Sequence, residues 1–400
     1  MSTAAAPLTP KRLGVYIDAV YAVVPTPEGR TVSTDRSFLL FVSAVGESFK
    51  SLTLFGRTRS SLSPADYVLP PEVELVDLPH YENLRRVHEV AARLSGTLFR
   101  FWRGLDRVDV VWVFGPHPIA VAFAGLALAR GKKVVLGIRQ DSVRLYAARL
   151  PGARWLPARI AVRAVEAAFR LLAQRVPATV QGAELARRYA GGRAPVHTMT
   201  ESVVGASDIS AEPLERDWNG TIEFLTVGRL ETEKNPLLLV EAFAALTKER
   251  PGAYRLTWIG RGPLEADVKA HVQRLGITEL IDFHGYVPFD AGLLDLYRRA
   301  NAFVHVSLSE GVPKVLIEAL ACSTPLVATD VGGIRAALGD DEVALLVPPN
   351  DREALTAAMR RILDQADLRS TLALRGLELA RSLTLEAEAA RVVDFIQSET

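Results

Sequence analysis

Two cations and two carboxylates in the second half of this 400-residue chain stand where side chains can do chemistry. Arg229 and Lys234 flank a turn in TVGRLETEKN (226–235), which follows an apolar run. A planar guanidinium fork and a compact ammonium together suit a diphosphate. A solvated loop, with Arg229 or Lys234 paired to Glu231 or Glu233, fits the same spacing. Gly228 lets a ligand come close to the backbone. Glu310 and Glu318 bracket SEGVPKVLIEAL (309–320), the first before a Gly-x-Pro turn and the second inside the apolar run. Pro313 suits the first helical position, so Glu310 adjoins the amides of a helix start. Glu318 then lies about one and a half turns into that helix. A carboxylate accepts hydrogen bonds in pairs, which matches vicinal sugar hydroxyls. One glutamate would hold a hexose and the other a ribose, at different depths of one cleft. A mid-helix glutamate is ordinarily exposed, but Glu318 sits among Leu316, Ile317, Ala319, Leu320 and Ala321 and needs a partner if buried.

Three further loops have the same style. IGRGPLEADV (259–268) carries Gly260 and Gly262 ahead of Pro263 at a helix start, where anions are favoured. FHGYVP (283–288) presents His284, Gly285 and Tyr286, with Gly285 admitting a flat group such as a nucleobase or simply making a turn. ATDVGGIRAAL (328–338) opens a helix with Gly332 and Gly333.

The elements that must position these loops alternate between strand and helix along the whole chain. Apolar strand-like runs are expected at Leu13–Ile17, Ser51–Phe55, Val73–Leu78, Val108–Phe114, Val134–Ile138 and Ala178–Val180. A second set falls at Ile222–Val227, Tyr254–Ile259, Ile281–His284, Ala302–Val306, Leu326–Ala328 and Ala344–Val347. Helical periodicity separates them, for example over Ser37–Gly46, Asn83–Trp102, Ile119–Arg130 and Pro157–Arg175. Continuous Val/Ile/Leu strands between helices mean parallel sheets covered on both faces. The polar stretch GASDISAEPLERDWNG (205–220) breaks the rhythm and reads as a linker. We therefore expect an α/β protein of two doubly wound domains, residues 1–205 and 206–383. In such sheets ligands bind beyond the carboxyl ends of the strands.

Composition narrows the partners. Residues 1–205 hold 27 Lys+Arg against 16 Asp+Glu, and residues 206–400 hold 20 against 30, so +11 and −10 make up the net +1. A basic half beside an acidic one predicts an anionic partner for the first. Residues 149–175 form a basic amphipathic stretch with Arg159, Arg163 and Arg170 on one face and Ile160, Val165, Phe169 and Leu172 opposite. It fits docking on anionic lipid or an anionic acceptor, and equally an ordinary surface helix. Cys322 is the single cysteine, which excludes an intramolecular disulfide or a cysteine metal cluster. The longest clean apolar run, Ile119–Ala129, is far short of the ~20 residues of a membrane span. The N-terminal MSTAAAPLTPKRL lacks a signal-peptide core and reads as a disordered lead-in, so a cytoplasmic location is expected.

GRLETEKN, IGRGP, FHGYV, SEGVPKVLIEAL and TDVGG, in this order, resemble family 4 glycosyltransferases, and Glu310 and Glu318 resemble that family's E-x7-E signature. The likeness is close over about residues 222–350 and loose over the rest. It implies a GT-B fold, two Rossmann-like domains facing a central cleft, the first for the acceptor and the second for the donor. The C-terminal helix, about residues 384–400, would pack back on the first domain. It implies retaining transfer of a hexosyl group from a nucleotide-diphosphate sugar to a saccharide or lipid-linked acceptor, without metal, cofactor or nucleic acid. Arg229, Lys234 and Glu310 would be catalytic. Gly228, Gly260, Gly262, His284, Gly285, Tyr286, Gly311, Val312 and Glu318 would complete the donor site, with front-face attack by the acceptor and the leaving phosphate as base. Contact with the inner face of an anionic membrane through 149–175 would suit a lipid-linked acceptor.

The first domain departs from that pattern. DAVYAVVPTPEGRTVSTDRSF (18–38) lacks the usual paired glycines, leaving Gly29, Thr34 or Asp35 to take over that loop. RQD (139–141) stands where a histidine is usual. Arg139 would touch donor sugar or phosphate and Asp141 the acceptor, or the two pair to order the loop. His117 in GPHP (115–118) would face the acceptor side of the cleft or cap a helix. Ala336 stands near a glutamate that the family usually carries after the glycine pair. A nucleotide-sugar-binding protein with a degenerate site, or an epimerase of the same fold, is the alternative.

Overall fold

The computed structural model describes residues 9–26, 29–59, 67–81, 87–150, 152–339 and 342–400. The N-terminal lead-in up to residue 8 and the helix start expected at Asn83 lie outside them. In the first half, β1 (Thr9–Thr26), β2 (Gly29–Thr34), α1 (Phe38–Gly46), β3 (Phe49–Arg59), β4 (Tyr67–Val68), β5 (Glu74–Leu78) and α2 (Val87–Gly104) come first. They are followed by β6 (Val110–Gly115), α3 (Pro118–Ala129), β7 (Lys133–Ile138), α4 (Ser142–Arg149), α5 (Leu156–Ala173), β8 (Ala178–Gln181), α6 (Ala183–Tyr189) and β9 (Val196–Met199). Their parallel strands are ordered β5-β3-β1-β6-β7-β8-β9.

The second half gives β10 (Ile222–Val227), α7 (Pro236–Thr247), β11 (Tyr254–Ile259), α8 (Glu265–Arg274), β12 (Ile281–Gly285), α9 (Ala291–Arg299) and β13 (Ala302–His305). Then come α10 (Lys314–Ala321), β14 (Leu326–Thr329), α11 (Ile334–Leu338), β15 (Leu345–Val347), α12 (Arg352–Asp364), α13 (Ala366–Ser382) and α14 (Leu385–Glu399). Its sheet is wholly parallel, in the order β12-β11-β10-β13-β14-β15. Both sheets thus run outward in two directions from their first strand, the doubly wound arrangement that leaves a crevice at the strands' carboxyl ends. Strands such as Leu326–Thr329 are buried at every position, as two-sided coverage by helices demands.

The largest departure from expectation is β1. It runs on to Thr26 and turns into an antiparallel hairpin with β2, where the sequence suggested a short strand and an open loop. Within the run DAVYAVV, Ala19, Tyr21 and Ala22 are buried, so the extension has its own core contacts. Gly29 and Thr34 are consumed by β2. Helix starts also shift slightly: Pro313 precedes α10 as its N-cap, and Pro263 lies before α8.

α14 returns to the first domain, where Ala389, Val392, Val393 and Ile396 join the cluster of α1, β1 and β3. Burying Val392, Val393 and Ile396 contributes about 5–9 kcal/mol on transfer grounds. The two chain crossings between the sheets are tied together, with the Leu385 amide 2.7 Å from the Val204 carbonyl and the Thr200 amide 3.0 Å from Glu388 Oε2. The polar linker is pinned by Arg216, which donates to the carbonyls of Ala300 (2.6 Å), Cys322 (2.9 Å) and Ser323 (3.1 Å). Among the described residues no helix is long and apolar enough to cross a membrane.

Candidate functional site

A cavity of about 380 Å³ opens between the two sheets, lined by loops from the carboxyl ends of strands on both sides. The second domain contributes Gly228, Arg229, Lys234, Glu310, Gly311 and Val312. Asp35, Arg36 and Ser37 come from the loop after β2, and Arg139 and Asp141 from the loop after β7. Asp35 rather than Gly29 or Thr34 therefore reaches the cleft.

Glu310 is tightly held at the cavity wall. Its side chain is 10% exposed, and its Oε1 accepts from Lys234 Nζ, from Ser307 Oγ at 2.5 Å and from His305 Nε2 at 3.1 Å. Burial alone would raise this carboxyl, but Lys234 and His305 hold it well below the usual carboxylate range. Lys234 reaches it from a short turn that ends at Asn235, in the left-handed region at φ 45°. The opposite outcome holds for His305: burial lowers the imidazole below its ordinary value despite the carboxylate beside it.

Arg229 is half-exposed and donates to Glu231 at 2.8 Å, so the Arg–Glu pairing anticipated for that loop forms, while Lys234 pairs across to Glu310 instead. Glu231 and Glu233 are shared with Arg149 of the first domain, whose Nη2 lies 2.7 Å from Glu231 Oε2 and 2.5 Å from Glu233 Oε1. Burial opposes ionisation of Glu233, yet the Glu231 and Arg149 hydrogen bonds bring it down to about 2. Nothing lies within 4 Å of where a Gly228 side chain would start, so a ligand has room against that backbone.

Gly260 and Gly262 lie close against a neighbouring loop. A side chain on Gly260 would meet the Gly228 carbonyl at 2.1 Å, and one on Gly262 the Leu230 carbonyl at 2.3 Å. These glycines let two loops pack on each other. Gly332 plays the same part against the Glu310 carbonyl, at 1.9 Å. Gly311 is pressed across the cleft, 3.0 Å from the Arg139 carbonyl and 3.1 Å from Gln181 Cγ.

Several candidates do not line the cavity. Glu318 is 4% exposed and accepts from the Tyr297 hydroxyl at 2.8 Å, so its partner is internal, and burial raises its carboxyl. His284 pairs with Asp282 at 2.9 Å, Tyr286 is exposed, and Gly285 takes φ 72° beside Arg261. His117 caps α3, accepting from the Ile119 amide, with Nε2 3.3 Å from Asp18. The Arg139–Asp141 pair does not form. Arg139 instead forks onto Glu201 at 2.7 and 2.9 Å and stacks over Phe38, because Asp141 is occupied as the N-cap of α4 and by Arg188 at 2.5 Å.

Residues that sequence reasoning missed complete the site. Glu201, 3% exposed, binds Arg139 and also Lys314 of the second domain at 3.0 Å; Lys314 reaches Ser37 as well, at 2.7 Å. Burial would raise the Glu201 carboxyl, but Arg139 and Lys314 hold it down. Gln181 donates to the Val312 carbonyl at 3.0 Å and accepts the Glu201 amide at 3.0 Å. For His305 and Gln181 the available signal was a polar residue at the end of a strand-like run, as in AFVH and ATVQ. The arrangement can hold a diphosphate on its cations and a hydroxyl-rich group on Glu310.

Residues 215–377 match the family model described as glycosyl transferases group 1. The chain is 32% identical over 184 residues to a mannosylfructose-phosphate synthase of Agrobacterium fabrum, covering 44% of this chain and 40% of that protein. It is 32% identical over 170 residues to O-antigen chain mannosyltransferase B of Escherichia coli, 42% of this chain and 43% of that one. A D-inositol 3-phosphate glycosyltransferase of Arthrobacter sp. is 31% identical over 191 residues, 45% of each. The chain thus spans less than half the length of these curated relatives. Among solved structures, a sucrose-phosphate synthase from Thermosynechococcus elongatus superimposes with a TM-score of 0.73 at 18% identity, over 97% of this chain and 98% of that one. WaaG, a glycosyltransferase involved in lipopolysaccharide biosynthesis, does so at 0.70 and 16% identity, over 96% and 99%. The architecture is the GT-B fold.

Proposed function

We propose that this chain is a retaining, family 4-type glycosyltransferase that moves a hexosyl group from a nucleotide-diphosphate sugar to an acceptor hydroxyl. The observation that carries the reading is the meeting of Lys234 with Glu310 beside Arg229 and the open Gly228 backbone. Breaking the bond between the anomeric carbon and the diphosphate puts negative charge on the leaving oxygen and positive character on the sugar ring. Arg229 and Lys234 compensate the first, as a metal does in other transferases, and such a preorganised donor is worth about 3–4 kcal/mol in the transition state. Glu310 accepts hydrogen bonds from the sugar's hydroxyls, and the Gly311 and Val312 amides support it. The acceptor attacks from the face the phosphate leaves, and the phosphate oxygen takes its proton. Glu201 and Gln181 of the first domain bear on the Glu310 loop, through Lys314 and the Val312 carbonyl, and help to exclude water.

Thermal shift against a panel of nucleoside diphosphates and their sugars tests this, with donor hydrolysis in the absence of acceptor as the second measurement. Selective stabilisation by one nucleotide plus slow hydrolysis is expected. Stabilisation without hydrolysis favours the binding protein, and no stabilisation by any nucleotide overturns the transferase.

The acceptor side is proposed to be a saccharide, lipid-linked. A relative named for transfer onto a diphospho-undecaprenol saccharide supports this, at 34% identity over 146 residues. So does the outer face of α2, α3 and α5, which exposes Phe99, Trp102, Leu128, Ile160 and Leu171 among Arg100, Arg103, Arg163 and Arg170. Ile160 is 56% exposed rather than packed inward with Phe169, so the apolar side of that helix is partly on the surface. Co-sedimentation with anionic but not neutral vesicles is the expected result, and equal recovery with both refutes contact with an anionic surface.

A further inference from the structure

One buried titratable group in the cleft has no part in the reaction as derived above. His305 ends β13, is 2% exposed, and lies parallel to the Phe303 ring at 6.4 Å and 17°. Its Nε2 faces Glu310 Oε1 at 3.1 Å and Ser307 Oγ at 3.4 Å. An ionised carboxylate only accepts, so Nε2 carries the proton and donates it. Ser307 is itself fixed, its amide donating to Thr329 Oγ1 at 2.9 Å and its carbonyl accepting from that hydroxyl at 3.0 Å.

All three hydrogen bonds to the carboxylate fall on Oε1, and Glu310 lines the cavity. Oε2 is the oxygen left for a ligand. The three donors differ in what else they must do. Lys234 is a point charge on a flexible stem, in the cation pair assigned to the donor diphosphate. A diphosphate in the cleft draws part of that ammonium away from Glu310. His305 has two side-chain torsions, sits on a strand and is fully enclosed, so it stays where it is.

We propose that His305 is a positioning residue for sugar transfer: it grips Oε1 of Glu310 from the strand side and keeps Oε2 aimed at the bound sugar while Lys234 serves the diphosphate. This rests on the transferase reading and adds to it a division of labour. Removing the grip leaves diphosphate binding intact and disorders the carboxylate during turnover.

The test compares His305→Gln with His305→Asn in the full-length protein. Both are polar and close in size, but only the glutamine amide reaches the place of Nε2. His305→Asn is expected to lower kcat by about 10–100-fold, the usual cost of losing an orienting hydrogen bond behind a functional group. Nucleoside diphosphate affinity should stay within about threefold of wild type, and His305→Gln should recover most of the rate. Equal rates for the two variants, or diphosphate affinity falling in step with kcat, overturn the proposal. A 13C titration of Glu310 supplies a readout that needs no turnover: His305→Asn should raise its midpoint and His305→Gln should not, and an unmoved midpoint in both also overturns it. A wild-type protein that binds no nucleotide sugar sinks the transferase reading separately, because the titration still reports the contact.

Discussion

Lys234→Met removes one ammonium and keeps most of the stem. The side chains of Lys234 and Glu310 are 19% and 10% exposed, so the pair is largely withdrawn from water. Stripping one partner from a buried pair costs about 3–5 kcal/mol. Glu310 keeps Ser307 and His305 and borders a cavity of about 380 Å³, which puts the expected cost at the lower end, about 3 kcal/mol. In a domain of this size that lowers Tm by about 6–12 °C. The sign with pH follows from the depressed carboxyl: its stabilisation is present above the ordinary value of 4.5 and fades as pH falls below it. The gap between wild type and variant should therefore narrow in acid. Donor turnover should fall by about 10²–10³-fold. Adding Glu310→Gln removes the stranded charge, so the double variant should regain stability and stay inactive. Calorimetry from pH 4 to 8 with a donor-hydrolysis assay reads all of this. A Lys234→Met protein as stable as wild type, or a double variant no more stable than the single one, refutes the account of the pair.

Glu201→Gln keeps a hydrogen-bonding group but takes the charge from between Arg139 and Lys314; small-angle scattering should show a larger radius of gyration, from a cleft that opens more often. Because that carboxyl is held down in the fold, its loss should matter above about pH 4.5 and disappear in stronger acid. Glu318→Ala strands the buried Tyr297 hydroxyl and should cost about 1–3 kcal/mol in chemical denaturation. Glu318→Gln keeps an acceptor for that hydroxyl. The wild-type carboxyl is raised, so its charged form is penalised, and Glu318→Gln should gain on wild type as pH climbs above the ordinary value of 4.5. If Glu318→Gln binds nucleotide as tightly as wild type, Glu318 has no contact with ribose.

The fold was legible because its signal is repetitive. Twelve apolar runs separated by helical periods specify parallel sheets, and every one of those runs overlaps a strand. Arg229 and Glu310 were legible because each stands beside a glycine in the loop after a strand's carboxyl end, and Lys234 because it shares a loop with Arg229. What was not legible depended on contacts between distant segments. Glu201 and Lys314 are 113 positions apart, and no local pattern marks either as half of a pair. Nothing local to the glycines at 260, 262 and 332 shows that each packs against a backbone carbonyl of another loop. The β1–β2 hairpin was missed because VPTPEG reads as a loop, while the pairing that extends the strand involves partners up to Arg59.

The return of α14 to the first domain has a consequence for how the protein is made. The sheet it covers is complete at Met199, yet the helix begins at Leu385, 186 residues later. At the speed of synthesis, about 5–20 residues per second, the first domain waits about 10–40 s with the apolar side of α1 uncovered. During that interval the second domain emerges with all its strands from one continuous stretch, so it can finish its own core first. The half of this sequence synthesised first is thus the half completed last, when α14 packs onto α1, β1 and β3.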